Sequence, residues 1–390
     1  METRSIAKRR KMSKLATASF EDLPQETALQ ILKHLEFYDN ASASQVCKRW
    51  KLICEDQSIW EKINLSDREV PAKFIEKALR LGCQYLRLCG TEITKVPDPN
   101  SFSASNQLKY LSISCDNYFA SHHEVLMKDL LGATQSLEKL SIRCDREYNF
   151  NFQPNIIQNC QTLTVLRINS HKSLNFETIK LIFTNCLELT EVSLADCGMP
   201  IEALSFLCNN LTSKIKKLSL FRIYAFDSED QILEDEHVIV VTNRCPKLEE
   251  LDLGGHENGI SELALSAIIE KSQNLVKLKL SYTDQIPFEK LLNLGSMPHL
   301  KYLRVDVGVD RNPLQYFLDN PEEKIDTLPQ KLDEWSRENP LIKALMKNLP
   351  NLKINEGPKL EIAVPDPRFL SIDWLWEILC KPTGDFYEPF

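Results

Sequence analysis

The residues of this chain that could do chemistry and that recur at fixed spacing are mostly bases. Arg87, Lys139, Arg143, Arg167, Lys217, Lys277, Lys279 and Arg304 all occupy the third, fifth or seventh position of a short L-x-x-L-x-L segment. Alternate residues of an extended strand share one face, so these eight lie opposite the leucines. Four acids share that face, Glu191, Glu250, Asp252 and Asp306, which makes it +4 in a chain whose net charge is −8. Guanidinium forks onto carboxylate or phosphate, and ammonium adds a point charge. The chemistry expected is therefore non-covalent capture of an acidic or phosphorylated protein segment. Tyr85, Tyr110, Phe221 and Tyr302 fall in the same register and suit the part of aromatic anchors. The binding candidates are thus Tyr85, Arg87, Tyr110, Lys139, Arg143, Arg167, Lys217, Phe221, Lys279, Tyr302 and Arg304.

Covalent catalysis finds no foothold. Seven histidines, among them the adjacent His122 and His123, show no H-E-x-x-H spacing, and there is no G-x-S-x-G elbow. G-x-G-x-x-G and G-x-x-x-x-G-K-[ST] are absent too, so a nucleotide cofactor has no cradle. The twelve cysteines contain no C-x-x-C, which argues against a zinc or dithiol site. Cys160, Cys186 and Cys245 each precede the first leucine of a segment by three residues, where a small free thiol packs well. No catalytic residue, metal or cofactor is expected, and a reducing compartment is.

The elements that must position these residues form an array. Segments begin at Cys83, Leu108, Leu137, Leu163, Leu189, Ile215, Leu248, Leu275 and Leu300, at spacings of 25, 29, 26, 26, 26, 33, 27 and 25 residues. Each pairs a short strand with a stretch of helical spacing, such as Phe176/Ile179/Ile182/Phe183 or Ile201/Leu204/Leu207/Cys208. A single unit cannot bury its own leucines, so the units must stack into an α/β solenoid with parallel strands inside and helices outside. Such a fold offers an extended binding surface. Trp60/Ile63/Leu65 continues the pattern toward the N-terminus. The rhythm stops after Val305; residues 310–348 are an irregular insertion, and Leu349/Leu352/Ile354 is a last strand. The solenoid is thereby bounded at 67–354. Residues 355–390 carry a helical stripe (Phe369, Ile372, Leu375, Trp376, Leu379) expected to cap the final repeat. Their seven acids against three bases, with Trp374 and Trp376, also suit folding back over the basic face.

Residues 1–19 set Arg4, Lys8, Arg9, Arg10, Lys11 and Lys14 against Glu2. They read as a disordered basic tail, and Lys8–Lys11 as an import-like run. Residues 20–66 read as a small helical unit. Ala28, Ile31, Leu32 and Leu35 make one apolar stripe beginning after Pro24, and Val46, Trp50 and Ile53 make another; Phe37-Tyr38-Asp39-Asn40 reads as a break between them. A unit of that size hardly supports its own core, so part of its apolar surface is expected to face a partner or the array. No apolar run approaches the roughly 18 residues that span a bilayer, no secretory signal is read, and the negative balance disfavours nucleic acid. A soluble protein of the cytoplasm, the nucleus or both is expected.

The segment Phe20–Trp60 resembles an F-box. Its features stand as Leu23-Pro24-x-Glu26, Ile31-Leu32-x-x-Leu35, Val46-Cys47-Lys48-Arg49-Trp50 and Ser58-Ile59-Trp60. With the cysteine-containing repeats behind it, the chain resembles the F-box/leucine-rich-repeat proteins. That resemblance implies a substrate-recognition subunit of an SCF-type ubiquitin ligase. Its F-box would bind a Skp-type adaptor linked to a cullin and a RING subunit, and its repeats would hold a protein substrate for ubiquitination. The adaptor contacts carried over by motif position are Leu23, Pro24, Ile31, Leu32, Leu35, Val46, Cys47 and Trp50. The alternative for some of these, Trp50 and Ile31 first, is that they fill the small internal core. Ala41-Ser42-Ala43-Ser44-Gln45 departs from the family, which usually shows leucines there, and that puts the middle helix in question. The alternative is an interaction scaffold outside any ligase.

Overall fold

The computed structural model describes residues 20, 23–35, 37–94, 107–115, 126, 129–132, 134, 136–144, 161–170, 174–225, 230, 232–256, 259–280, 286–305 and 340–354. The basic tail 1–19, most of the 310–348 insertion and the acidic tail 355–390 lie outside them, as do Cys160 and the His122–His123 pair.

The chain opens with four short helices, α1 (Gln25–Leu32), α2 (Phe37–Ala43), α3 (Lys48–Cys54) and α4 (Gln57–Trp60). Phe37–Asn40 opens a helix where a break was expected. Asn40 explains it: the residue is buried, its Nδ2 donates to the Leu35 carbonyl, and its own carbonyl accepts from Ser44 N. The Ala41–Gln45 stretch stays helical as far as Ala43, whose small side chain is itself buried.

The repeats follow as β1 (Lys62–Asn64), β2 (Glu69–Val70), α5 (Ala72–Arg80), β3 (Tyr85–Leu88), β4 (Glu92–Ile93), β5 (Tyr110–Cys115), β6 (Lys139–Cys144) and β7 (Val165–Ser170). They continue as α6 (Phe176–Asn185), β8 (Glu191–Ala195), β9 (Gly198–Met199), α7 (Ile201–Asn210), β10 (Lys217–Ser219), β11 (Tyr224–Ala225), α8 (Asp235–Arg244) and β12 (Glu250–Asp252). The array ends with α9 (Glu262–Lys271), β13 (Lys277–Leu280), α10 (Phe288–Leu291) running into a 3-10 turn (Leu292–Ser296), β14 (Tyr302–Val305), α11 (Pro340–Asn348) and β15 (Lys353–Ile354). Eleven strands form one sheet in the order β1-β3-β5-β6-β7-β8-β10-β12-β13-β14-β15, and every pairing is parallel. The fold is an α/β solenoid. The short strands pair separately, β2 with β4 and β9 with β11.

Register follows the leucines. Ile63, Leu86, Leu111, Leu140, Leu166, Val192, Leu218, Leu251, Leu278 and Leu303 are successive partners across the sheet. All ten are buried in one continuous core. A second device sits just before each strand, where one carbonyl accepts from two successive N–H groups of the next repeat. Gln84 O takes Lys109 N and Tyr110 N, Lys109 O takes Glu138 N and Lys139 N, and Glu138 O takes Thr164 N and Val165 N. The arrangement runs through nine carbonyls, from Glu61 to Val276. Thr164 and Thr190 reinforce it with side-chain bonds to the carbonyls of Glu138 and Thr164.

Cys186 and Cys245 are buried beneath the strand starts, in the packing role expected of them. Burial pushes the thiols of Cys83, Cys208 and Cys245 up to about 12. In the folded protein at about pH 8, close to the ordinary thiol pKa, these three should resist iodoacetamide while half-buried Cys47 and Cys89 react. Peptide mass spectrometry reads the result. Labelling of Cys208 and Cys245 at the unfolded rate would mean that the repeats are loosely packed.

Candidate protein-interaction surfaces

Two surfaces carry the residues singled out from sequence. The first is on the helical unit. Its core is small: Ala28, Leu32, Ala43, Ile53 and Cys54, with Phe20, Leu29, Trp50 and Ile59 packed around it. Helix α1 therefore turns Ala28 and Leu32 inward, and Ile31 and Leu35 outward at 42% and 37% exposed. This corrects the single-stripe reading and removes Leu32 from the contact candidates. It also removes the alternative of Ile31 as core filler, leaving its side chain uncovered. Val46 was expected on a helix with Trp50 and Ile53, but it precedes α3 and is 63% exposed. Cys47 interrupts that stripe as the helix cap, its Sγ accepting from Trp50 N at 3.5 Å. Trp50 is half-buried against Phe20, the ring centroids 4.4 Å apart. Pro24 is exposed at the start of α1, and Leu23 is half-buried with its carbonyl accepting from the Arg49 guanidinium.

Sequence reasoning missed Leu52, which at 70% is the most exposed of the large apolar residues noted on this unit. A signal was present. Three consecutive apolar residues, Leu52-Ile53-Cys54, cannot all share one side of a helix that advances about 100° per residue. Ile31, Leu35, Val46 and Leu52 are thus large apolar side chains that the unit's own core leaves uncovered. On so small a domain, uncovered apolar surface marks an interaction site.

The second surface is the inner face of the sheet. Its third-position row reads Lys62, Tyr85, Tyr110, Lys139, Val165, Glu191, Lys217, Glu250, Lys277, Tyr302, Lys353. The fifth-position row reads Asn64, Arg87, Ser112, Ser141, Arg167, Ser193, Ser219, Asp252, Lys279, Arg304. Neighbouring strands place opposite charges side by side, and these pair. Arg167 Nε meets Glu191 at 2.5 Å, Lys217 and Lys277 reach Glu250 at 2.9 and 3.8 Å, and Lys279 meets Asp252 at 3.0 Å. The basic excess expected of this face is therefore largely neutralised from β7 to β13. Lys279 and Arg87 are buried, which corrects their assignment as open binding groups. Phe221 is buried as well, its ring lying over Gly254, where an added Cβ would approach to 3.0 Å. Tyr302 stays exposed beneath Lys353 Nζ, Arg304 is half-buried, and Lys139 and Arg143 are exposed.

The comparisons with known proteins bear on the first surface. A family model described as F-box-like matches residues 20–66. That match stands directly in front of the stacked repeats. An F-box-like domain therefore precedes an array of leucine-rich repeats in this chain. A putative F-box/LRR-repeat protein of Arabidopsis thaliana is 47% identical over 47 residues, 12% of this chain and 16% of that protein. The chain thus matches about a sixth of the length of this curated relative. Among solved structures, the yeast Rad7 and Elc1 complex gives a TM-score of 0.36 at 14% identity over 78% of this chain and 93% of that one. A leucine-rich-repeat protein of Leptospira interrogans gives 0.38 at 16% identity over 73% and 68%.

Neither the F-box nor the repeats assemble an acid–base or nucleophilic centre among the described residues. Ser205 and His237 look like a dyad at 3.1 Å, but His237 Nδ1 accepts from Glu234 N, which leaves Nε2–H to donate to Ser205. In that tautomer the ring cannot take the serine proton. A cluster of polar side chains lies where β8, β10 and β12 end. Asp196 and Arg222 there hold positive φ of 52° and 50°, and their side chains pair at 3.1 Å. Gly255 follows at φ 82°, with Arg222 lying over it so closely that a Cβ would meet Arg222 Cγ at 2.1 Å. His256 is fully buried beside it, Nε2–H donating to the Leu220 carbonyl at 2.7 Å.

Burial holds His256 down at about 4, from an ordinary 6.5. The folded repeat keeps the ring neutral while the unfolded chain protonates near 6.5, so this site costs stability as pH falls from 6.5 toward 4. The full effect is about 3 kcal/mol. Substitution His256→Gln, which keeps a donor for Leu220, should flatten that part of the stability–pH curve in urea titrations. Equal slopes for the two proteins would remove His256 from the acid sensitivity.

Proposed function

We propose that this protein is a substrate-recognition subunit of an SCF-type ubiquitin ligase, acting in the cytoplasm, the nucleus or both. The F-box would hold a Skp-type adaptor, and through it a cullin and RING subunit, while the inner face of the repeats holds a protein substrate. The observation that carries this reading is the uncovered apolar set Ile31, Leu35, Val46 and Leu52 on a domain matched as F-box-like. Leu23, Pro24, Cys47 and Trp50 belong to the same domain and complete the carried-over contacts. The protein itself supplies no covalent step; its contribution to rate is to hold substrate near a transferred ubiquitin.

Co-expression with a Skp-type adaptor and capture of cullin test it. The wild-type chain should give a stoichiometric complex. Ile31→Asp or Leu52→Asp should abolish it, since a central contact is worth on the order of 2 kcal/mol or more. Leu187→Asp, at an exposed leucine of the repeats, should leave it intact, and all variants should unfold at the wild-type temperature. A well-folded wild-type protein that ignores the adaptor would overturn the ligase reading and leave an interaction scaffold.

A further inference from the structure

The two halves of the inner face differ in kind. From β1 to β7, the third, fifth and seventh strand positions hold five bases, Lys62, Arg87, Lys139, Arg143 and Arg167, and not one acid. Of these, Arg167 is already answered by Glu191 of β8, and beyond it Glu250 and Asp252 answer Lys217, Lys277 and Lys279. The acid-free half also carries the paired aromatics. Tyr85 and Tyr110 are half-buried neighbours with centroids 6.5 Å apart, and Lys62 Nζ lies 5.3 Å from the Tyr85 ring. Beside them the buried serines Ser112 and Ser141 make a floor of small side chains. Lys139 and Arg143 rise from it on one strand, about 13 Å apart along β6 at the rise of an extended chain. Glu138, at the margin, is occupied by Lys109 at 3.8 Å.

We propose that strands β3–β7 bind an extended, carboxylate-rich protein segment, with Tyr85 and Tyr110 as its flat apolar anchors and Lys139 and Arg143 as its charge partners. The proposal rests on the reading of the inner face as the substrate surface, and it names the class of substrate. Spacing of the two cations suits carboxylates about four residues apart on an extended ligand. Tyrosines contribute contact area at low entropic cost. A protein ligand is favoured over nucleic acid because a whole-chain charge of −8 opposes the dense, continuous charge of a phosphate backbone far more than a few carboxylates on a peptide. The ion-paired half would contribute little, since engaging an acidic ligand there means breaking an existing pair.

Fluorescence anisotropy on the full chain tests it, with a labelled glutamate- and tyrosine-containing peptide, its glutamine counterpart and a single-stranded RNA. The glutamate peptide should bind at least about tenfold more tightly than the glutamine one, a difference of about 1.4 kcal/mol. Lys139→Glu with Arg143→Glu should erase that preference, while Lys217→Glu with Lys277→Glu changes it less than about twofold. If the first pair unfolds the protein, Lys139→Gln with Arg143→Gln replaces it and should weaken binding in the same direction. Equal binding of both peptides, equal effect of both variant pairs, tighter binding of RNA, or binding only when phosphoserine replaces glutamate would each overturn the proposal. Adaptor capture by the same variants separates the two readings: retained capture with lost acidic preference supports this site. Lost capture in wild-type with the preference intact would sink the ligase reading alone.

Discussion

The carbonyl shared by two successive N–H groups at the start of each strand is the constraint on which the rest of the repeats depends. It allows no slip. A register shift of one residue would leave two buried donors without acceptors and turn every leucine toward water. Because the device recurs from Glu61 to Val276, the third-position side chain of each repeat stands beside the third-position side chain of the next. The continuous leucine column and the continuous inner-face rows are two expressions of that alignment. Parallel strands are usually buried on both faces; here the inner face stays open because short side chains and ion pairs, not helices, cover it.

Fixed rows turn composition into local pairing. Counted as a list, the inner-face charges give an excess of bases. Set about 4.8 Å apart by the sheet, Lys217 and Glu250, and Asp252 and Lys279, stand directly opposite one another, Arg167 reaches Glu191 diagonally, and the excess vanishes wherever acids are interleaved. The bases were legible in the sequence, and so was the face they occupy. Which of them were already answered was legible only by writing the repeats under one another and reading across. Phe221 shows where even that fails. Its strand position is inward, but the following repeat has Gly254 opposite it, and the ring settles onto the space that glycine leaves.

The helical unit was harder to read for a different reason. Helical periodicity separates a core face from a wet face, and it assumes that only one face is apolar. Ala28, Ile31, Leu32 and Leu35 belong to two faces, one closed by Ile53 and Cys54 and one left open. Nothing in the spacing tells which leucine goes where; the packing of α1 against α3 decides it. The break expected at Phe37–Asn40 failed because Asn40 uses its amide to satisfy the Leu35 carbonyl, a local bond that holds a loop-forming residue within the first turn of α2.

The two units are not a bead and a string. Ile59 packs against both cores, and Trp60, one residue later, belongs to the repeat core while its Nε1–H donates to the Cys54 carbonyl of α3 at 2.6 Å. Lys77 and Phe74 of the first repeat helix sit against the same indole. The helical unit thereby serves as the cap that a terminal repeat requires, and a cap that shares its core cannot swing freely. Under the proposed function, this junction fixes the distance from the adaptor face to the inner face in the fold and not in a linker. The acid-free strands lie at that end of the sheet, so a substrate held there would be presented from a defined place. Effective concentration at a transfer site falls steeply with added slack, which makes a rigid Ile59–Trp60 hinge the physical link between the two surfaces.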